Sequence, residues 1–190
     1  MQTVEQKVNE VFSGYVQRGS DDYIGEPVSQ IEHMSQAAQQ AMAEGYDDEV
    51  VLAAFFHDIG HLCGLRPDMA SMGGYGVMSH ERVGADYLRA FGFSERMARL
   101  VESHVQAKRY LTLRQPGYYA QLSEASRQTL EYQGGVMTEA EADAFEQDPL
   151  CEISLRMRQW DERAKEMNVP VIDLRVLKGK AMTLLSAQPR

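Results

Sequence analysis

The chain has 190 residues, a formal net charge of -9 from 28 acidic and 19 basic side chains, and two cysteines. Its length suits one domain, residues 1–190, with a core large enough to need neither disulfides nor structural zinc. The acidic balance argues against nucleic acid or an anionic membrane surface as the main partner, and Cys63 and Cys151 stand apart, without CxxC spacing or a disulfide framework. No apolar run approaches a membrane span and MQTVEQKVNEVFSGYV lacks the make-up of a signal peptide, so a soluble cytoplasmic protein is expected.

Taken in order, Val4, Val8, Val11, Phe12 and Tyr15 form the apolar stripe of a helix from Val4 to about Gln17. Pro27 suits the first position of a second helix that runs to Glu44 and Gly45, with Glu26, Gln30 and His33 on one face. The acids Asp47, Asp48 and Glu49 favour the start of a third, which continues through VVLAAFF into His57-Asp58. Being apolar nearly all round, it should be the buried central helix, with His61 one turn beyond His57. From Leu62 to Ser79 the chain is too rich in Gly, Met and Pro for regular structure, which suits a lid or binding loop. Its methionines Met69, Met72 and Met78 read as gap-fillers.

Ser79 should cap a helix that carries His80 in its first turn and ends near Gly92. Ser94 opens another, running through His104 and Lys108 to about Tyr110. Beyond Pro116-Gly117, a helix near Ser123 to Gln133 stops at Gly134-Gly135, and Thr138-Glu139-Ala140-Glu141 reads as a capping box. Asp148-Pro149 starts the helix that carries Arg158, Trp160 and Asp161, and a plain amphipathic helix spans about Leu174 to Leu185. No period-2 pattern or internal repeat is present, so the fold class is all-α.

The chemistry lies in the histidines. A dinuclear metal site needs about ten coordination positions, hence several imidazoles and a carboxylate able to bridge. His33, His57, Asp58, His80, His104 and Asp161 supply four imidazoles and two carboxylates. Lys108 lies one turn beyond His104, where its ammonium can meet an anionic group. Arg158, three residues before Asp161, can contact either that carboxylate or a bound anion. Ser126 and Thr129 share a face and can donate hydrogen bonds, although helix capping or surface exposure accounts better for Thr129.

The succession of one His, an HD pair and a distant Asp resembles the HD-domain metalloproteins. Closer matches are DYIGE at Asp22 to Glu26, VLAAFFHDIGH, MGGYGVMSHERVGADYLRAFGFSER, SHVQAKRYL, SEASRQTLEYQGG and RQWDERAK, which resemble the HD-type diiron oxygenases that cleave carbon–phosphorus bonds. That resemblance implies an HD-domain helical bundle holding two iron ions in a mixed-valent state, with Asp58 as their bridge. It implies a small hydroxyphosphonate and O2 as the partners. Phosphate would be released with glycine or glycine betaine from a 1-hydroxy-2-(amino or trimethylamino)ethylphosphonate. By the same resemblance, Tyr23 and Glu26 form a lid, the glutamate toward a cationic nitrogen, and His61 is a catalytic or phosphonate contact. A quaternary ammonium would also call on aromatic faces, for which Tyr23, Tyr75 and Phe56 are the candidates. The alternative is a metal-dependent HD phosphohydrolase that activates water. A degenerate HD domain acting as a binding module is the third, and it predicts lost ligands where none is lost.

Overall fold

The computed structural model describes residues 2–23, 25–63 and 70–187; Met69 falls outside them, as does Ile24 of the DYIGE stretch. Among the described residues there are ten α-helices and no strand. They are α1 (Val4–Arg18), α2 (Gln30–Ala43), α3 (Asp48–Phe56), α4 (His80–Phe91), α5 (Glu95–Arg114), α6 (Tyr118–Gln121), α7 (Glu124–Tyr132), α8 (Glu139–Glu146), α9 (Cys151–Arg163) and α10 (Leu174–Ala187).

The all-α expectation holds, and α3 is the central helix for the anticipated reason. Every residue from Val50 to Phe56 is buried, and α2, α5, α9 and α10 pack around it. Its aromatic end carries the most cohesive part of the core: Tyr15 stacks on Phe55 with centroids 4.5 Å apart, and Phe56 meets Phe93 edge-on at 5.8 Å. Such pairs add to area burial by roughly 0.5–1.5 kcal/mol. Phe56 is therefore core, not a wall for a ligand, which corrects its candidacy for cation recognition.

The helix starts follow their caps, and three expectations change. Helix α2 begins at Gln30, not at Pro27, because Ser29 and Glu32 form a reciprocal capping box. Residues 25–28 thus belong to a turn, pinned by a bridge between Asp22 and Ser29, and Glu26 sits on this turn instead of a helix face. Ser79 does not cap α4: its backbone is left-handed at φ 56°, whereas a side-chain cap needs extended geometry. Helix α9 begins at Cys151, two residues past Pro149, because Asp148 first closes a turn by accepting from the amides of Leu150 and Cys151. The caps at Ser94 and Thr138 are as expected.

The largest departure concerns the opening of the site. Helix α3 stops at Phe56, His57 is its C-cap, and Asp58 leaves helical geometry before a short 3-10 turn over Ile59–His61. This break lets the start of α4 cross very close to the turn. A Cβ on Gly60 would lie 1.9 Å from the His80 carbonyl oxygen, a backbone atom that cannot yield cheaply. Gly60→Ala is accordingly expected to lower stability by about 1–3 kcal/mol. An unchanged urea midpoint would show that the crossing is not under this constraint.

Candidate metal centre and its cavity

Asp58 is buried at the point where α2, α3, α4, α5 and α9 converge, and its two carboxylate oxygens face different pairs of imidazoles. Oδ2 lies 3.6 Å from His33 Nε2 and 3.4 Å from His57 Nε2. Oδ1 lies 3.1 Å from His80 Nε2 and 3.4 Å from His104 Nε2. Within each pair the nitrogens converge, 2.9 Å apart for His33 and His57 and 3.2 Å for His80 and His104. Asp161 Oδ1 joins the first pair, 3.4 Å from His33 Nε2.

The opposite ring nitrogens fix which atom is offered. His33 Nδ1 donates to the Ala164 carbonyl, His57 Nδ1 to that of Ala54, and His104 Nδ1 to that of Val101, at 2.9, 2.8 and 2.6 Å. With Nδ1 so engaged, each Nε2 faces the cluster and is the nitrogen offered to a metal ion. His80 Nδ1 has no hydrogen bond and lies 3.6 Å from Glu81 Oε2, which is equally unpaired.

The electrostatics match a cation-holding set. Burial alone would raise Asp58, yet His57 and the hydrogen bonds from His104, His57 and His80 keep it well below the carboxylate range. Burial alone would lower His57, but Asp58 beside it raises it to about 9. Asp161 is likewise held low against burial, chiefly by Arg158. Two ionised carboxylates among four crowded imidazoles have the donor chemistry, nitrogen and oxygen without sulfur, that suits a pair of first-row ions. The residues fit such a pair, with Asp58 shared between two sets of ligands.

A cavity of about 610 Å³ reaches Asp58, His80, His104 and Asp161, while His33 and His57 lie behind it. Lys108 stands in its wall, only 3% exposed, donating to the Ser126 carbonyl at 3.2 Å and to Thr129 Oγ1 at 3.0 Å. Thr129 therefore holds Lys108 instead of serving as a cap. Burial, with Arg158 next, lowers Lys108 to about 7. Arg158 contacts the carboxylate, the first of the two roles anticipated for it: one nitrogen binds Asp161, and another donates to Ser126 Oγ at 3.0 Å on the cavity side. His61 lines the same cavity. Its Nδ1 accepts from the Val77 amide at 3.1 Å and its ring stacks on His80 at 4.1 Å. Burial, then His80, lowers it to about 3, so it stands as a neutral imidazole with an Nε2–H to donate.

Tyr23 closes the other side. Its hydroxyl donates to Asp58 Oδ2 at 2.9 Å and its ring lies flat on His33, with centroids 4.0 Å apart. Burial, then Asp58, raises its phenol well above the usual value, so it remains a donor. Glu26 follows on the same turn and is bound by Lys165. Between them, Gly25 holds φ +85° with Ala125 against it, where an added Cβ would meet that methyl at 2.8 Å.

Sequence reasoning missed Tyr118, Glu162 and Lys165. Tyr118 Oη accepts from Arg158 Nε at 3.0 Å and itself binds Glu162, so it helps hold that arginine. Glu162, four residues past Arg158, had helical spacing as a signal, whereas Lys165 lies past the end of α9 and binds the distant Glu26. Tyr118, across a Pro-Gly break, had none.

A helical bundle that gathers His33, His57-Asp58, His80, His104 and Asp161 around one shared carboxylate defines a metal-binding helical protein. The chain belongs to the HD-domain family, whose pattern matches residues 31–149 and so takes in every one of these residues except Asp161. It is 42% identical over 98% of its length to Uncharacterized protein L432 of Acanthamoeba polyphaga mimivirus, covering 85% of that protein. It is 38% identical to the [1-hydroxy-2-(trimethylamino)ethyl]phosphonate dioxygenase (glycine-betaine-forming) of Leisingera caerulea, over 82% of this chain and 79% of the relative. It is 37% identical to the Hydroxymethylphosphonate dioxygenase of Gimesia maris, over 90% and 85%. The resemblance to phosphonate dioxygenases of the HD type, first drawn from the motifs, is thus borne out. No helix among the described residues is long and apolar enough to cross a membrane.

Proposed function

We propose that this protein cleaves the carbon–phosphorus bond of a 1-hydroxyphosphonate with O2, using a mixed-valent pair of iron ions, in the cytoplasm. The carrying observation is the position of one two-faced carboxylate, Asp58 between two imidazole pairs, beside a buried cationic wall of Lys108 and Arg158. Two relatives named as hydroxyphosphonate dioxygenases support the same reading. His33, His57, Asp58 and Asp161 would hold one ion, and Asp58, His80 and His104 the other. When bound, the iron pair supplies dioxygen activation and Lewis acidity at the substrate hydroxyl.

The chain's own residues supply the rest. Lys108, Arg158, Ser126 and His61 surround the phosphonate, three with N–H donors and Ser126 with a hydroxyl, in a wall dry enough that each contact counts more than it would in water. Tyr23 lies across Asp58 Oδ2 and keeps water from the ligands until substrate arrives, and Glu26 lies on the same lid turn. Overall, R–CH(OH)–PO3H2 and O2 give R–COOH and H3PO4: the C1–H and C–P bonds break and C1 is oxidised by four electrons. With an aminomethyl or trimethylammoniomethyl substituent the acid is glycine or glycine betaine.

Purified, iron-loaded protein is expected to consume O2 and release phosphate on addition of a 1-hydroxyphosphonate. No phosphate from the hydroxyphosphonate, with phosphate released from a nucleotide or phosphate ester under strict anaerobiosis, would instead identify a hydrolase.

A further inference from the structure

Resting on the two-ion reading above, we propose that Glu81 is a positioning residue for the metal centre. Its carboxylate receives the outer nitrogen of His80 and so secures the ion shared by Asp58, His80 and His104, while the other ion does not depend on it.

Where an imidazole sits on its helix decides what can hold its outer nitrogen. His57 closes α3 and His104 lies well inside α5, so each has a helical carbonyl three residues behind it, and Nδ1 donates to that carbonyl, of Ala54 and Val101 respectively. His33, in the first turn of α2, reaches instead the Ala164 carbonyl at the end of α9. His80 is the first residue of α4, and Val77, three residues behind it, is outside the helix and bridged to Ser71. Its Nδ1 accordingly has no carbonyl to bind.

What faces that nitrogen is Glu81. Oε2 lies 3.6 Å from His80 Nδ1, with the two side chains 18% and 5% exposed. Both atoms are closed off from solvent, and among the described residues neither has a hydrogen-bond partner. A buried N–H and a buried carboxylate oxygen left apart are each costly, so the two answer one another's need. An acid in the first turn of a helix ordinarily serves the dipole from the surface, whereas this Oε2 is withdrawn from water. The rest of His80 is fixed from other sides: its ring stacks on His61, its carbonyl is crossed by Gly60, and Ser79 before it is left-handed. The outer nitrogen is the one contact left to a side chain. A carboxylate there orients the ring and raises the basicity of the nitrogen offered to a metal more strongly than a neutral carbonyl does.

The test is iron binding by the full chain, loaded anaerobically with Fe(II) and challenged with a graded chelator, with urea midpoints measured alongside. Wild type is expected to hold two irons per chain. Glu81→Ala should release one of them at roughly ten- to hundred-fold lower chelator concentration and keep the other as in wild type. Glu81→Gln, whose amide oxygen has the same reach, should recover part of the loss. Glu81→Asp keeps the first-turn charge but is one methylene short, and should behave like Glu81→Ala. In a His80→Ala background, Glu81→Ala should change the remaining iron no further. The contrast between Glu81→Gln and Glu81→Asp decides the matter even where Glu81→Ala does not fold.

Any one of four results overturns the proposal: both irons held normally by Glu81→Ala, both weakened alike at an unchanged urea midpoint, Glu81→Asp holding iron as wild type does or better than Glu81→Gln, or added loss on the His80→Ala background. Wild type holding fewer than two irons overturns the two-ion reading and this inference with it. Two irons in wild type with indifferent Glu81 variants overturns this inference alone.

Discussion

Asp58→Ala is expected to leave the protein without bound iron in either position, measured as metal per chain after loading and desalting. The reason is geometric: its two oxygens face separate imidazole pairs, so its removal takes a ligand from both. The substitution also strips a buried counter-charge from His57, which stands to cost about 3–5 kcal/mol, so misfolding could mimic metal loss. Asp58→Asn separates the two effects. It keeps the volume and can still hydrogen-bond, yet a neutral amide is a poor bridge between cations. Folded Asp58→Asn protein retaining two irons per chain would refute the bridging role.

Lys108→Met is expected to raise the KM for phosphonate at least about ten-fold with iron content unchanged, because a charge-assisted contact to the anion disappears. The same change should stabilise the protein at neutral pH. The folded value of Lys108, about 7, lies below the unfolded value near 10.4, so between these pH values the unfolded chain holds more protons and wild-type stability rises with pH. At pH 7 and below the penalty of a buried ammonium is present in full, on the order of a few kcal/mol, and Met removes it. The gain is reduced by the Ser126 carbonyl and Thr129 hydroxyl left behind, at about 1–3 kcal/mol for an unpaired buried group. Urea unfolding at pH 6 and pH 9 should therefore show the variant's advantage shrinking as pH rises. A KM equal to that of wild type would take Lys108 out of phosphonate binding.

The helical framework was legible because its signals are local. Apolar stripes, the Ser94 and Thr138 caps and the Gly134-Gly135 stop each act within a turn or two of the residue that carries them. The ligand set was legible for another reason: there are only five histidines, and four of them with two aspartates make a recognisable group. What could not be read is where the chain leaves its pattern to meet another segment. The apolar run into His57-Asp58 looks like continuous helix, and only the approach of His80 to Gly60 explains why it breaks there. Ser79 carries a capping residue's side chain in a left-handed backbone, a conformation imposed from outside the helix it precedes. Lys165 and Glu26 are 139 residues apart, and no local signal pairs them.

The main-chain carbonyls that receive His33, His57 and His104 carry a consequence for how this protein could diversify. Ala54, Val101 and Ala164 hold those imidazoles through atoms that every residue type possesses. The orientation and basicity of these three imidazoles are thereby insulated from side-chain drift. The cavity wall at Tyr75 and Ala125 receives none of these three imidazoles and can be exchanged one residue at a time. A scaffold with this division can be retuned by directed evolution toward other phosphonates while its metal site is inherited intact.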